Sequence, residues 1–225
     1  ILNHVDRWSL QNDFFSYCIS GTKQLQEYLD LTTSYHDEDN YIALRDLAQN
    51  LYYLYKLTIK EKFSDEIRTY AVQFLGTILD RLGWDSKKHE KHTDALLRSF
   101  VITALGKIGD ENVLAESKKR FAKFLKNKNS LTADLQEPVF ALIAWQGDKK
   151  IHSKLLSLYK KATLQEEKLR YLSAMCNFKQ KNLLLKTLEF SLTPAVRSQN
   201  IRVPIMSVSA NIYGKDVLWP WLKNH

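Results

Sequence analysis

Apolar residues recur three and four positions apart through most of this chain, the spacing that places them on one face of a helix. Asp6 to Ser20 reads as a first amphipathic helix, with Trp8, Leu10, Phe14, Phe15, Tyr17 and Cys18 at its apolar positions and Gly21 ending it in the left-handed role. Thr22 stands where it can cap a short second helix through Leu31. A polar, acidic loop from Thr32 to Asn40 leads into a long helix, from about Tyr41 to Leu57. Its Tyr41, Tyr52, Tyr53 and Tyr55 are expected in core and grooves, with hydroxyls at polar edges. Ser64 is expected to cap the next helix, which closes at Leu82-Gly83-Trp84.

The middle of the chain repeats. Gly109-Asp110 and Gly147-Asp148 lie 38 residues apart, each preceded and followed by an apolar helical stretch. Gly stops one helix and Asp accepts the first N–H groups of the next. Pro138 is assigned to the first turn after Asp134, among N–H groups that are free in any case. Thr163 and Glu166 have capping-box spacing. Leu169, Leu172, Met175 and Cys176 then share one face, Leu184, Leu185, Leu188 and Phe190 follow on another helix, and Pro194 is placed to open a third. Helix pairs at this period cannot bury their apolar faces singly, so neighbours must stack. The fold predicted is all-α, a HEAT/armadillo-like helical-repeat α-solenoid, as one domain over residues 1–225.

Composition agrees with a helical chain: of 225 residues, 44% are hydrophobic and 26% charged, with only 7 Gly and 4 Pro. No apolar run is long enough to span a membrane. The net charge of +8 raises nucleic acid as a partner. Lys is mixed with Glu and Asp along almost every helix, however, and the cluster Lys118-Lys119-Arg120 to Lys128 carries Phe121, Phe124 and Leu125 between its charges. That is the polar side of an amphipathic helix, and nucleic-acid binding is not expected. Cys18 and Cys176 are expected as buried free thiols of a reducing compartment. ILNHVDRW has neither an initiator Met nor a basic-then-apolar leader, which reads as an internal cut.

The closing segment has an order that helix pairing does not require: Arg197-Ser-Gln199-Asn200, Ser209-Ala210-Asn211, Gly214, then Trp219-Pro-Trp221-Leu222-Lys223-Asn224. With DRWSLQND at Asp6 to Asp13, LGW at Leu82 to Trp84, LLR at Leu96 to Arg98, EEK at Glu166 to Lys168 and TLEFSL at Thr187 to Leu192, it resembles, in order, the C-terminal domain of the gluzincin zinc aminopeptidases. Asn200 stands where that family usually has Asp, and the chain stops just after the Asn that precedes the family's next Trp. The resemblance implies a parent enzyme that uses zinc to remove residues one at a time from peptide N-termini. This chain would be a fragment, truncated at both ends, of the helical bowl that encloses its substrate cavity. The implied partners are the catalytic domain of the same polypeptide and peptide substrates, in the cytoplasm. Arg197 and Gln199, in the turn before a helix starting near Ile201, are candidates to face the cavity. Arg7, Asn12 and Asp13 are candidates for the domain interface, or plain surface polarity on the first helix. The apolar end at Trp219 to Leu222 is a candidate for self-association. A freestanding helical-repeat scaffold for a protein or peptide partner is the alternative.

Catalytic residues and a metal site are not expected in the chain itself. His89-Glu90-Lys91-His92 falls one residue short of the H-E-x-x-H helix, in which zinc-binding His residues stand one turn apart. His36 with Asp37, Glu38 and Asp39 lacks calcium-loop spacing. No Gly-rich phosphate loop and no G-x-S-x-G elbow occurs. Zinc belongs to the parent enzyme alone on this reading.

Overall fold

Side-chain oxygens at helix starts fix where several elements begin. The computed structural model describes residues 2–225, and Ile1 lies outside them. Among the described residues the secondary structure is wholly helical. The first five helices are α1 (His4–Ile19), α2 (Leu25–Thr33), α3 (Tyr41–Thr58), α4 (Ser64–Leu82) and α5 (His92–Ile108). Then come α6 (Glu111–Lys126), α7 (Ala133–Trp145), α8 (Lys149–Lys161), α9 (Gln165–Met175), α10 (Lys181–Ser191), α11 (Arg202–Ala210) and α12 (Lys215–Asn224). Asn3, Asn40, Asp110 and Asp148 each accept N–H groups from the first turn of the helix that follows. The all-α expectation and the two Asp caps therefore hold.

Several boundaries differ from the sequence reading, each for a local reason. Thr22 does not cap α2, which starts at Leu25, with the Glu27 carboxylate accepting the Gln24 N–H at 2.9 Å. Ser64 is the first helical residue of α4, not its cap. The Thr163–Glu166 box does not form, because α9 starts one residue later, behind Leu164, with no side-chain cap. Pro194 opens no helix. It lies in a turn that runs through a short 3-10 segment, Ser198–Asn200, before α11 begins. Pro138 stands beyond the first turn of α7, where the N–H it lacks would have met the Asp134 carbonyl. The two repeat glycines also differ in role. Gly109 has φ 103°, the left-handed stop expected of it. Gly147 is not left-handed; a Cβ there would lie 2.6 Å from the Ile143 carbonyl oxygen and 2.9 Å from Ile151 Cβ, so it is Gly because the chain passes too close.

The helices form two compact units, one ending at Ile108 and one running Gly109–His225. In the first, α3 is central and packs against α1, α4 and α5. Its buried face is Ala43, Leu44, Leu47, Ala48, Leu51 and Leu54. The tyrosines of α3 rim this face instead of filling it: Tyr53 is 40% exposed, Tyr41, Tyr52 and Tyr55 are half-buried, and the Lys56 ammonium lies 5.0 Å from the Tyr52 ring centre. A ring with a hydroxyl is best placed where one end stays wet. α1 likewise buries Gln11 and Phe15, while Leu10 and Tyr17 are 43% and 53% exposed.

In the second unit α6 packs on α7 and α8 on α9, while α7, α9 and α11 pack in succession. Phe140 of α7 meets Phe124 of α6 and Tyr171 of α9, with ring centres 5.0 and 5.2 Å away. α8 and α10 run side by side in the same direction: His152 Nε2 is 3.0 Å from Thr187 Oγ1, and the Tyr159 and Phe190 rings meet edge to face. Burial, with the Lys186 charge adding to it, pushes the His152 pKa down.

Two measurements check this account. Asp110→Ala and Asp148→Ala should each lower stability by about 0.5–2 kcal/mol in denaturant titration, the usual loss of a cap; unchanged midpoints in both would show the helix starts misplaced. His152 is neutral in the fold but takes a proton when unfolded, so stability should fall as pH drops below about 6.5. His152→Gln, which keeps a donor near Thr187, should flatten that part of the pH curve.

Candidate functional site

Arg98 is the most demanding side chain of the first unit. It lies on the buried face of α5 with Val101, Ile102 and Leu105 and is 1% exposed. A guanidinium cannot shed its charge, so burial requires acceptors around it. Its Nη1 donates to Glu90 Oε1 at 3.0 Å, Nη2 donates to Glu90 Oε2, and Nε donates to the Gly83 carbonyl at 2.9 Å. The Leu82 carbonyl lies 3.5 Å from Nη2. Glu90 also accepts the Lys87 N–H at 2.9 Å. These bonds, those from Arg98 first, hold the Glu90 carboxyl below its ordinary value of 4.5. The Leu82-Gly83-Trp84 and Leu96-Leu97-Arg98 stretches are thus two sides of one contact.

That contact accounts for the near-miss of a zinc motif. His89 has φ 63° in the turn before α5, and His92 is the first residue of the helix. The two histidines straddle a helix start instead of sharing a helical face, and the Glu between them is engaged by Arg98. These residues do not fit a zinc ion. Among the described residues no group of three His, Cys, Asp or Glu is gathered as a metal site would need.

The other sequence candidates are dispersed. Arg7 grips the acidic loop: Nε and Nη2 donate to the Glu38 carboxylate at 2.6 and 2.9 Å, and Nη1 donates to the Leu2 carbonyl at 3.0 Å. Glu38 accepts the N–H groups of Asp39 and Asn40 as well, and the Arg7 fork chiefly holds its pKa down. Arg81 donates to the Glu38 carbonyl at 2.7 Å, and Tyr35 donates to that of Arg7, also at 2.7 Å. Plain surface polarity is therefore the wrong description of Arg7. Asn12 is half-buried and Asp13 exposed, on the same helix. Beside them, Gln11 completes a buried network: it donates to Asp46 at 2.6 Å and accepts from Tyr28 at 3.1 Å and Asn50 at 3.3 Å.

A cleft of about 670 Å³ opens where the first turns of α1, α3 and α5 approach one another, with Arg7, Asp39, Tyr41, Lys91 and Asp94 in its lining. It offers donors and acceptors of both signs, and no nucleophile stands beside a base among its lining residues. In the second unit Arg197 and Gln199 are both exposed in the turn between α10 and α11. Tyr159 of α8 pins that turn, donating to the Ala195 carbonyl at 3.0 Å. Burial raises the Tyr159 pKa and the Arg197 charge offsets part of the rise. Asn200 beside them is buried, and its side-chain nitrogen has no hydrogen-bond partner among the described residues.

Sequence reasoning missed Arg98, Glu90, Glu38, Arg81 and Gln11. One signal was available for Arg98: a charge on an apolar stripe needs a partner. The partner lies across a turn whose path the sequence does not disclose.

A family profile described as the ERAP1-like C-terminal domain matches residues 1–225. Aminopeptidase M1-A of Oryza sativa subsp. japonica is 29% identical over 99% of this chain and 26% of its own length. Aminopeptidase M1 of Arabidopsis thaliana is 28% identical over 99% of this chain and 26% of its own. A probable aminopeptidase 2 of Sulfurisphaera tokodaii is 26% identical over 100% of this chain and 27% of its own. The chain spans about a quarter of the length of these relatives.

Breaking the Arg98 contact should be costly. Glu90→Gln leaves a buried guanidinium without a charge partner, and about 3 kcal/mol should be lost in denaturant titration. Arg98→Met should cost less, because Glu90 lies nearer water. Glu90 and Glu38 have depressed pKa values, so the stability they give is present above the ordinary value of 4.5 and is lost as pH falls through their folded values. Acid unfolding should therefore shift when both are replaced by Gln; an unchanged acid midpoint would remove both pairs from the stability account.

Proposed function

The chain belongs to the ERAP1-like C-terminal domain family, and from that premise we propose that it is the helical domain of a zinc-dependent aminopeptidase acting on peptide N-termini. The observation that carries this reading is the match of the whole chain to the family, together with relatives named as aminopeptidases that are about four times its length. On this reading the zinc and the reaction belong to the catalytic domain of the same polypeptide. The stacked helices act as a HEAT-like solenoid that walls the substrate cavity in a cytoplasmic enzyme and limits entry to short peptides.

Arg197 and Gln199 are the residues we assign to that cavity. Both are exposed, and their turn is pinned from behind by Tyr159. A guanidinium held at a fixed turn suits a peptide carboxylate or a carboxylate on a facing domain. The domain interface is assigned to the α1 end, where Arg7 is engaged by Glu38 while Asn12 and Asp13 have no side-chain hydrogen bond among the described residues. At the other end Trp221 is buried and donates to Glu189 at 2.9 Å, whereas Trp219 is 64% exposed, a surface suited to self-association.

Hydrolysis of aminoacyl-nitroanilides is the direct test. The full-length protein should turn them over in a chelator-sensitive way, and the isolated chain should not. Chelator-sensitive turnover by the isolated chain would refute the division of labour. Arg197→Ala in the full-length protein should raise KM for peptides more than for nitroanilides, with stability little changed. Equal effects on both substrate classes would leave Arg197 a local surface residue.

A further inference from the structure

Formal charge is divided unevenly along the chain. Residues 109–225 hold 20 Lys and Arg against 10 Asp and Glu, a formal +10, whereas residues 1–108 hold 13 against 15, a formal −2. Within the second unit α6 and α8 carry much of the excess. Each buries one face, Val113, Ser117, Phe121 and Phe124 on α6 and His152, Leu155 and Tyr159 on α8. Each turns lysines outward: Lys119, Lys123 and Lys126 on α6, and Lys150, Lys154 and Lys161 on α8, are all exposed. Steps of four and three residues on α6, and of four and seven on α8, set these in one row along each helix. The row on α6 follows a helix about 24 Å long. Lys119 touches Glu116 at 3.3 Å; among the described residues the other five have no carboxylate partner.

The helices that carry the two rows run in the same direction. α6 is antiparallel to α7, since Gln146 at the end of α7 reaches Ser117 near the start of α6. α7 and α9 run parallel, with Gln136 bonded to Arg170 and Phe140 stacked on Tyr171. α8 doubles back into α9 as α6 does into α7. α6 and α8 are therefore the parallel first arms of successive hairpins.

We propose that this lysine face is a docking surface for an anionic lipid surface. Charge complementarity limits the partner to a polyanion, and the chemistry of the face narrows the choice. Arg120 is bound to Glu116 at 2.9 Å, and Phe121, Phe124 and Tyr159 are buried. The face thus presents no planar fork for reading base edges and no ring on which a base could stack. Ammonium tips in two rows, on stems long enough to follow an uneven surface, match a headgroup layer of phosphates and carboxylates. This inference does not depend on peptide hydrolysis.

The test uses the full-length protein that carries this chain, with vesicles of phosphatidylcholine alone or with phosphatidylserine added. The protein should sediment with the serine-containing vesicles only, and less as salt rises. Replacing Lys123, Lys126, Lys154 and Lys161 by Glu should lower that partition about tenfold or more. Replacing the exposed Lys60, Lys62, Lys88 and Lys91 of the first unit by Glu should leave most of it. Circular dichroism and thermal midpoints of both variants guard against misfolding, and the behaviour of the unaltered protein stands independently of either. Absent or charge-independent binding of the unaltered protein, equal losses in the two variants, or tighter binding to a duplex oligonucleotide than to vesicles at the same salt would each overturn the proposal.

Discussion

A permanent charge enclosed in an apolar helix layer governs the first half of this molecule. Arg98 is set among Val101, Ile102 and Leu105, and water does not reach it. Its acceptors come from two places that the chain must bring together: the carbonyl end of α4 and the carboxylate of Glu90. The turn between α4 and α5 is shaped by that demand. Gly83 takes φ 71° at the end of α4 with its carbonyl directed at the guanidinium, and Glu90 closes the turn on Lys87 while holding Arg98. Such a cluster is costly to leave half-made, which favours a single arrangement of α4 against α5.

The second half relies on smaller locks of the same kind. The buried Asn211 amide donates to the carbonyls of Cys176 and Phe178, both at 2.9 Å, and so ties the end of α11 to the turn behind α9. Gly214 lies where any Cβ would stand 1.9 Å from the Val208 carbonyl oxygen, so the short link from α11 to α12 requires it. Glu189 of α10 holds the Trp221 indole of α12. Leu82, Gly83, Arg98, Glu189, Asn211, Gly214 and Trp221 are all residues on which the family resemblance rests, and each has a structural task. The order of those motifs is an order of closures at successive helix turns.

This has a bearing on how function is read from such a chain. Residues that recur in a recognisable order need not touch substrate. Glu90, in a stretch that looks like half of a zinc site, is a structural carboxylate, and Arg7, in the opening motif, clasps a loop. By contrast the side chains of Arg197 and Gln199, in an exposed turn, and of most outward lysines on α6 and α8 make no such contact among the described residues.

Periodicity determined the helical class and located most helices, because a helix that buries one stripe must repeat its apolar residues every three or four positions. The caps at Asp110 and Asp148 were legible too, since a cap acts within three residues of itself. What the sequence could not supply were pairings across a turn or between helices: Arg98 with Glu90, Arg7 with Glu38, Gln11 with Asp46 and Tyr28, Trp221 with Glu189. The same limit misplaced the Thr163 box and the helix expected at Pro194, where local preference yields to how neighbouring helices meet. Local chemistry sets where a helix starts and which face is apolar. Which charge that face then hides, and which distant oxygen receives it, is decided only when the helices pack, because desolvation acts on groups brought together in space.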